Sequence, residues 1–151
     1  MKDSRQKKNQ IQKLGSQSRS ALIMCSDYRF WPATIKYIKE TYNPAMMDLE
    51  TNFGGPEKLA VGTNASHVAL NELAISDIFH QLDEVFLVIH QDCEVYEGGS
   101  VSFESPEAEE ADVRKDLQVA ADKILQHHPK LKVIRLFAYF DVEDVKFKEL
   151  N

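Results

Sequence analysis

The sequence predicts an α/β domain: a mostly parallel sheet of about four strands, helices on both faces, and a C-terminal edge strand. Strand-length apolar runs alternate with segments of helical periodicity about four times along the chain. One run, ALIMC (21–25), is apolar without interruption, the pattern of a strand buried on both faces. Another, EVFLVIH (84–90), reads as a strand for its whole length.

After the first strand, FWPATIKYIKETYNP places Pro32 near a helix start, Ile35, Ile38 and Tyr42 at helical spacing, and Pro44 as a stop. Residues 45–50, AMMDLE, read as a short second strand. TNFGGPE (51–57) is a glycine turn, beyond which Asn64 or Ser66 can cap a helix that turns Ala69, Leu73, Ile78 and Leu82 towards the sheet. A loop follows the third strand and leads to Ser105 as N-cap and Pro106 at the first helical position. The acids of the first turn suit the positive end of the helix dipole. Leu117, Ala121, Ile124 and Leu125 form the predicted buried stripe of that helix. LKVIRLFAYF (131–140) is the fourth strand, and VKFKEL (145–150) alternates as a half-exposed edge strand does.

A chain of 151 residues, 43% apolar and 28% charged, closes one ordinary core. No run approaches the roughly 18 to 20 apolar residues that cross a bilayer, and no apolar stretch for secretion stands at the start, so the expected location is cytoplasmic, without a membrane partner. The net charge of −6 is unevenly placed: residues 1–20 hold six basic residues against Asp3 alone, which leaves −11 on the rest. Residues 1–19 are expected to be a basic, flexible arm, solvated or laid across a partner subunit, and 20–151 the folded domain. The arm lacks interleaved aromatics and the body is acidic, which excludes nucleic acid as the main partner. Without a secretory signal, Cys25 and Cys93 are expected to be reduced, which turns attention to metal or nucleophilic chemistry.

In parallel α/β sheets, chemistry collects at the carboxyl ends of the strands. Cys25 ends the first strand, His90 ends the third, and Cys93 lies just beyond, so all three belong on one rim. The spacing in HQDC lets a turn aim His90 and Cys93 at one point. Two sulfurs and one imidazole suit zinc and fall one ligand short of a closed structural site, leaving the position that catalysis needs. Such a metal draws the thiols into thiolates and makes hydroxide available from bound water. Asp27 and Arg29 project to the same side as Cys25, so that Asp27 can reach the metal or its water while Arg29 holds the carboxylate. If Arg29 releases it, Asp27 can instead close the site as a fourth ligand.

CSDYR (25–29) and HQDC (90–93) resemble the signature of the β-class carbonic anhydrases, Cys-x-Asp-x-Arg after the first strand and His-x-x-Cys after the third. The resemblance extends to TNFGGP, LNELAI and LFAYFDVEDVKFKEL, and so covers roughly residues 20–151. It implies a zinc lyase of the carbonate dehydratase type, hydrating CO2 reversibly to bicarbonate by zinc-bound hydroxide. One zinc per chain would be held by Cys25, His90 and Cys93, with Asp27 and Arg29 as the catalytic dyad. It also implies a homodimer or higher homo-oligomer with the cleft at a subunit interface. Three positions depart from the family pattern. Glu94 replaces a glycine and is expected to bring bulk and negative charge to the metal; Thr51 replaces an arginine; Phe53 replaces an alanine and is expected to narrow the pocket.

Rival readings use the same residues. One is hydrolysis of carbonyl sulfide or carbon disulfide at this site, and another a zinc-stabilised, non-catalytic protein in which Asp27 or Glu94 fills the fourth position. His67, His80, His127 and His128 read as surface or helix-end residues, and Tyr28, Phe30 and Trp31 as core aromatics. A thiol nucleophile at Cys25 with Arg29 as anion holder would need a longer loop of backbone N–H groups between them.

Overall fold

A computed structural model describes residues 17–62 and 64–151 of the chain. Five strands form one sheet: β1 (Arg19–Cys25), β2 (Met46–Asn52), β3 (Glu84–His90), β4 (Lys132–Asp141) and β5 (Asp144–Glu149). Their order is β2-β1-β3-β4-β5; the first four run parallel, and β5 is an antiparallel edge strand on β4. Among the described residues, four α-helices join them: α1 (Trp31–Thr41), α2 (Glu57–Val61), α3 (Asn64–His80) and α4 (Pro106–His127). The expected α/β sheet with a C-terminal edge strand is therefore present. Residues 1–16 of the expected arm lie outside the described residues, while Arg19 opens β1 and is ion-paired with Asp83 at 2.8 Å. No helix among the described residues is long and apolar enough to cross a membrane.

The apolar runs are uninterrupted because both faces of the central strands are covered. Ala21 and Ile23 of β1 and Val85, Leu87 and Ile89 of β3 share a core with Ala69 and Leu73 of α3 and with Val113, Leu117 and Ile124 of α4. The alternate residues Leu22, Met24, Phe86 and Val88 face Phe30 and Ile38 on the α1 side. Each such fully buried side chain stabilises the fold by about 1.5–3 kcal/mol relative to exposure. Ser105 caps α4 as expected, its side chain accepting from the Ala108 N–H at 3.1 Å, with Pro106 at the first turn.

Four local expectations need correction. Ile78 does not face the sheet but is 75% exposed, because the last turns of α3 run beside β2, which among the described residues has a neighbour on one side only. Leu125 is 37% exposed, since the buried stripe of α4 runs through Val113, Leu117, Ala120, Ala121 and Ile124 and leaves it at the margin. The region after the glycine turn contains the short helix α2, which the turn residues concealed. Ser66 does not cap α3; it lies buried in the first turn and donates to the Leu59 carbonyl at 3.3 Å.

The glycine turn between β2 and α2 touches β1 directly. Gly55 has φ +55°, and a Cβ there would lie 2.6 Å from the Cys25 nitrogen and 2.6 Å from the Met24 carbonyl carbon. Only glycine combines that left-handed backbone with so close an approach. Gly55→Ala is expected to lower unfolding free energy by about 2 kcal/mol or more. Urea unfolding checks this, and an unchanged midpoint would show that the turn does not bear on β1.

Between β2 and α3 lies a cleft of about 390 Å³ lined by Asp48, Glu50, Glu72, Ser76 and His80. Burial and the neighbouring Glu72 charge push Glu50 up to about 7. A carboxyl group raised in the folded state costs stability as pH climbs from its unfolded value through 7, and nothing below that window. Glu50→Gln should therefore leave the melting temperature unchanged near pH 4.5 and raise it at pH 8. Equal melting temperatures at pH 8 would place Glu50 in ordinary solvent.

Candidate metal centre

The parallel pairing of β1 and β3 sets the site. Ser20 stands opposite Glu84 and Met24 opposite Val88, so Cys25 and His90 emerge at the same end of two adjacent central strands. The turn after β3 folds back and adds Cys93. The two Sγ atoms and a ring nitrogen of His90 all lie within 4.8 Å of one another. All three residues are almost completely buried, at 2%, 2% and 1% exposure for Cys25, His90 and Cys93. Three of the five residues singled out in the sequence therefore form one cluster.

The imidazole is oriented from both sides. Its Nδ1 lies 2.7 Å from the Gln91 carbonyl, and since a carbonyl only accepts, Nδ1 carries the proton and donates it. Nε2, the nitrogen that offers a lone pair in this tautomer of the neutral ring, is buried and without a hydrogen-bond partner among the described residues. The Phe30 ring stacks on the imidazole at 4.3 Å and shields it from water. A histidine serving only to fill a core would bury its second nitrogen at a cost of roughly 1–3 kcal/mol, and a metal ion removes that cost.

The thiols interact strongly. Cys25 accepts a hydrogen bond from the Gly54 N–H at 3.3 Å. Its pKa falls to about 4, chiefly through a hydrogen bond with Cys93 and further through His90 and Gly54, against the opposing effect of burial. Cys93 moves up, because its proton is bonded to Cys25 and its sulfur is buried. As ligands the two sulfurs would serve as thiolates, and two negative charges match a divalent soft-to-borderline metal.

Asp27 and Arg29 sit beside this cluster. The Arg29 Nε lies 3.1 Å from both oxygens of Asp27, Nη2 donates to Oδ2 at 2.6 Å, and the Arg29 backbone N–H donates to Oδ1 at 2.9 Å. These bonds lower the Asp27 pKa and hold the guanidinium firmly charged. Asp27 Oδ2 is 3.8 Å from His90 Nε2, so the carboxylate flanks the point at which the three ligand atoms converge.

Residues that the sequence reading did not single out complete the surroundings. Asp92 accepts from Arg29 Nη1 at 2.8 Å through Oδ2 and from Nη2 at 3.0 Å through its carbonyl. Glu109, 2% exposed, accepts from the Asp92 N–H at 2.6 Å and from the Ser100 hydroxyl at 2.8 Å. The acidic first turn of α4 concealed that residue, since acids at a helix start ordinarily serve the dipole from solvent. Asp92 was visible inside HQDC, but its partner Arg29 is 63 residues away in sequence.

Glu94, Thr51 and Phe53, the three departures from the family pattern, all lie at the surface. Glu94 is exposed beside the buried Cys93, with its charge in solvent; Thr51 is exposed and Phe53 is 56% exposed. Of the aromatics, Phe30 is core, but Tyr28 and Trp31 are exposed. His80 and His128 are bound to Asp48 and Asp77, at 2.5 and 3.1 Å, and His127 to the Lys123 carbonyl at 2.9 Å.

Among solved structures, the chain is similar to the β-carbonic anhydrase isoform I of the protozoan Trichomonas vaginalis, with 13% identity, TM-score 0.56, and coverage of 87% of this chain and 82% of that one. It is also similar to a tetrameric β-carbonic anhydrase of the filamentous ascomycete Sordaria macrospora, with 16% identity, TM-score 0.54, and coverage of 98% and 89%. The β-carbonic anhydrase CcaA aligns with 14% identity and TM-score 0.56 over 95% of this chain and 78% of that one. At these identities the likeness is one of fold. No curated protein matches the sequence. A family model described as "Putative carbonic anhydrase" matches residues 16–146, and the chain belongs to that family, with the β-carbonic anhydrase fold.

Proposed function

We propose that this chain is a zinc-dependent lyase of the carbonate dehydratase type that interconverts CO2 and bicarbonate. One zinc per chain is held by Cys25, His90 and Cys93, and Asp27 and Arg29 act as the dyad. The observation that carries the proposal is the buried, unpartnered Nε2 of His90, within 4.8 Å of two buried thiol sulfurs and beside a carboxylate held by arginine. When bound, zinc supplies the Lewis acidity that makes water a nucleophile near neutral pH.

The chain's own residues do the rest. The Gln91 carbonyl fixes the imidazole tautomer, and Phe30 keeps water off the ring. Asp27, held ionised by Arg29, would accept a hydrogen bond at Oδ2 from the attacking oxygen and so orient its lone pair towards the carbon of a small linear substrate. Bicarbonate leaves by exchange with water. A second reading rests on the 3.8 Å between Asp27 Oδ2 and His90 Nε2: this carboxylate is close enough to take the fourth position itself and give a closed, inactive site. Exposed aromatics at the strand ends beside the cluster, Tyr28, Trp31 and Phe53, support a homodimer or larger homo-oligomer that covers them. The proposed location is the cytoplasm.

Purified protein is expected to hold about one zinc per chain and to hydrate CO2. Cys93→Ser should weaken zinc retention about 10-fold or more, as loss of one of three ligands requires. Glu94→Gly should change the hydration rate by less than about 2-fold, because this charge lies in solvent. Zinc-free wild-type protein would sink the proposal, whereas zinc without turnover, restored by Glu94→Gly, would identify a degenerate member. Parallel assays on carbonyl sulfide and carbon disulfide decide the substrate.

Analytical ultracentrifugation tests the assembly. The wild type should sediment as a dimer or larger, and Phe53→Asp should shift it towards monomer; a wild-type monomer at micromolar concentration would overturn the proposed interface.

A further inference from the structure

Arg29 serves two carboxylates from opposite sides of the site. Asp27 lies two residues away on the same turn after β1, whereas Asp92 lies on the turn after β3. The Asp92 turn is built around this contact. Asp92 has φ +58°, and its Oδ1 accepts from the Ser100 N–H at 2.9 Å. Gly99, at φ +63°, could carry no Cβ, which would fall 2.2 Å from that same Oδ1. Glu109 braces the arrangement from α4 through the Asp92 N–H and the Ser100 hydroxyl, behind a nearly inaccessible surface. One glycine, a left-handed aspartate and a buried glutamate thus converge on holding one carboxylate against one guanidinium.

We propose that Asp92 is a positioning residue that pins Arg29 in place and so keeps Asp27 on the guanidinium rather than on the metal; this rests on the metal reading given above. Asp27 and Arg29 share a turn and can move together when nothing else restrains them. The two bonds from Asp92 tie the guanidinium to the far side of the site. A pinned guanidinium retains Asp27 through its own bonds, while a freed one follows the carboxylate as it swings to the open metal position. Asp92 touches none of the reacting atoms in this scheme and acts through Arg29 alone.

The test uses the full chain loaded with cobalt(II), with azide titrated as the exchangeable ligand and followed by visible absorption. Asp92→Asn is the substitution of choice, since Asn tolerates the left-handed backbone and can still accept from Ser100 while turning an N–H donor towards Arg29. Wild-type protein should bind azide, and Asp92→Asn should bind it about 10-fold more weakly or worse, with one cobalt retained. Adding Asp27→Asn should restore azide binding, which also shows that the ligand cluster is intact. Arg29→Ala should cause the same loss, and combining it with Asp92→Asn should add nothing further. Cobalt uptake with unchanged azide affinity in Asp92→Asn, or a loss that Asp27→Asn fails to restore, would overturn this proposal alone. A wild-type protein that takes up no cobalt would overturn it together with the metal reading.

Discussion

Parallel pairing of β1 with β3 at the middle of the sheet is the constraint on which everything else depends. It aligns two strands so that Cys25 and His90 emerge at one end, and covers both faces with helices so that this end is dry as well as ordered. Two thiols and an imidazole packed into so apolar a setting carry a desolvation cost unless something satisfies them. The core supports that cost. Phe86, Leu87, Leu22 and Ile23 are fully buried around the strands that deliver the cluster, and α1 and α4 close over opposite faces.

Around the cluster, charge is arranged so that one guanidinium answers two carboxylates. Asp27 and Asp92 carry two negative charges against the single positive charge of Arg29; Arg29 lowers the pKa of Asp27, and the Ser100 N–H together with Arg29 lowers that of Asp92. The excess of negative charge beside two potential thiolates is a further reason for the site to favour a divalent cation. Phe30 joins these two systems, stacking on His90 with one face while Arg29 lies 5.6 Å from its ring centre. Its burial after β1 is therefore a matter of site geometry as well as of core packing.

The edge of the sheet differs in kind from its centre. β2 and the last turns of α3 leave Leu49, Ile75 and Ile78 in solvent beside the acidic cleft that holds Glu50. This explains why the helical period led to the wrong place for Ile78: periodicity reports that a residue lies on an apolar stripe, not how far the sheet extends beneath it. The same reasoning applies to Leu125, one step off the stripe that β3 and β4 actually meet.

By itself the sequence determined the alternation of strands and helices, the Ser105 cap, the edge strand, and the shared rim of Cys25, Asp27, Arg29, His90 and Cys93. All of these are local signals or short spacings, governed by backbone periodicity and by the chemistry of individual side chains. Only the tertiary structure decided that His90 presents a bare Nε2, that Glu94 is exposed, and that Asp92 bonds to Arg29 while Gly99, Ser100 and Glu109 pack around Asp92. Those outcomes depend on contacts between groups far apart in the chain. A buried hydrogen bond is set by the direction in which two packed elements face each other, and no spacing along one strand or helix encodes that direction.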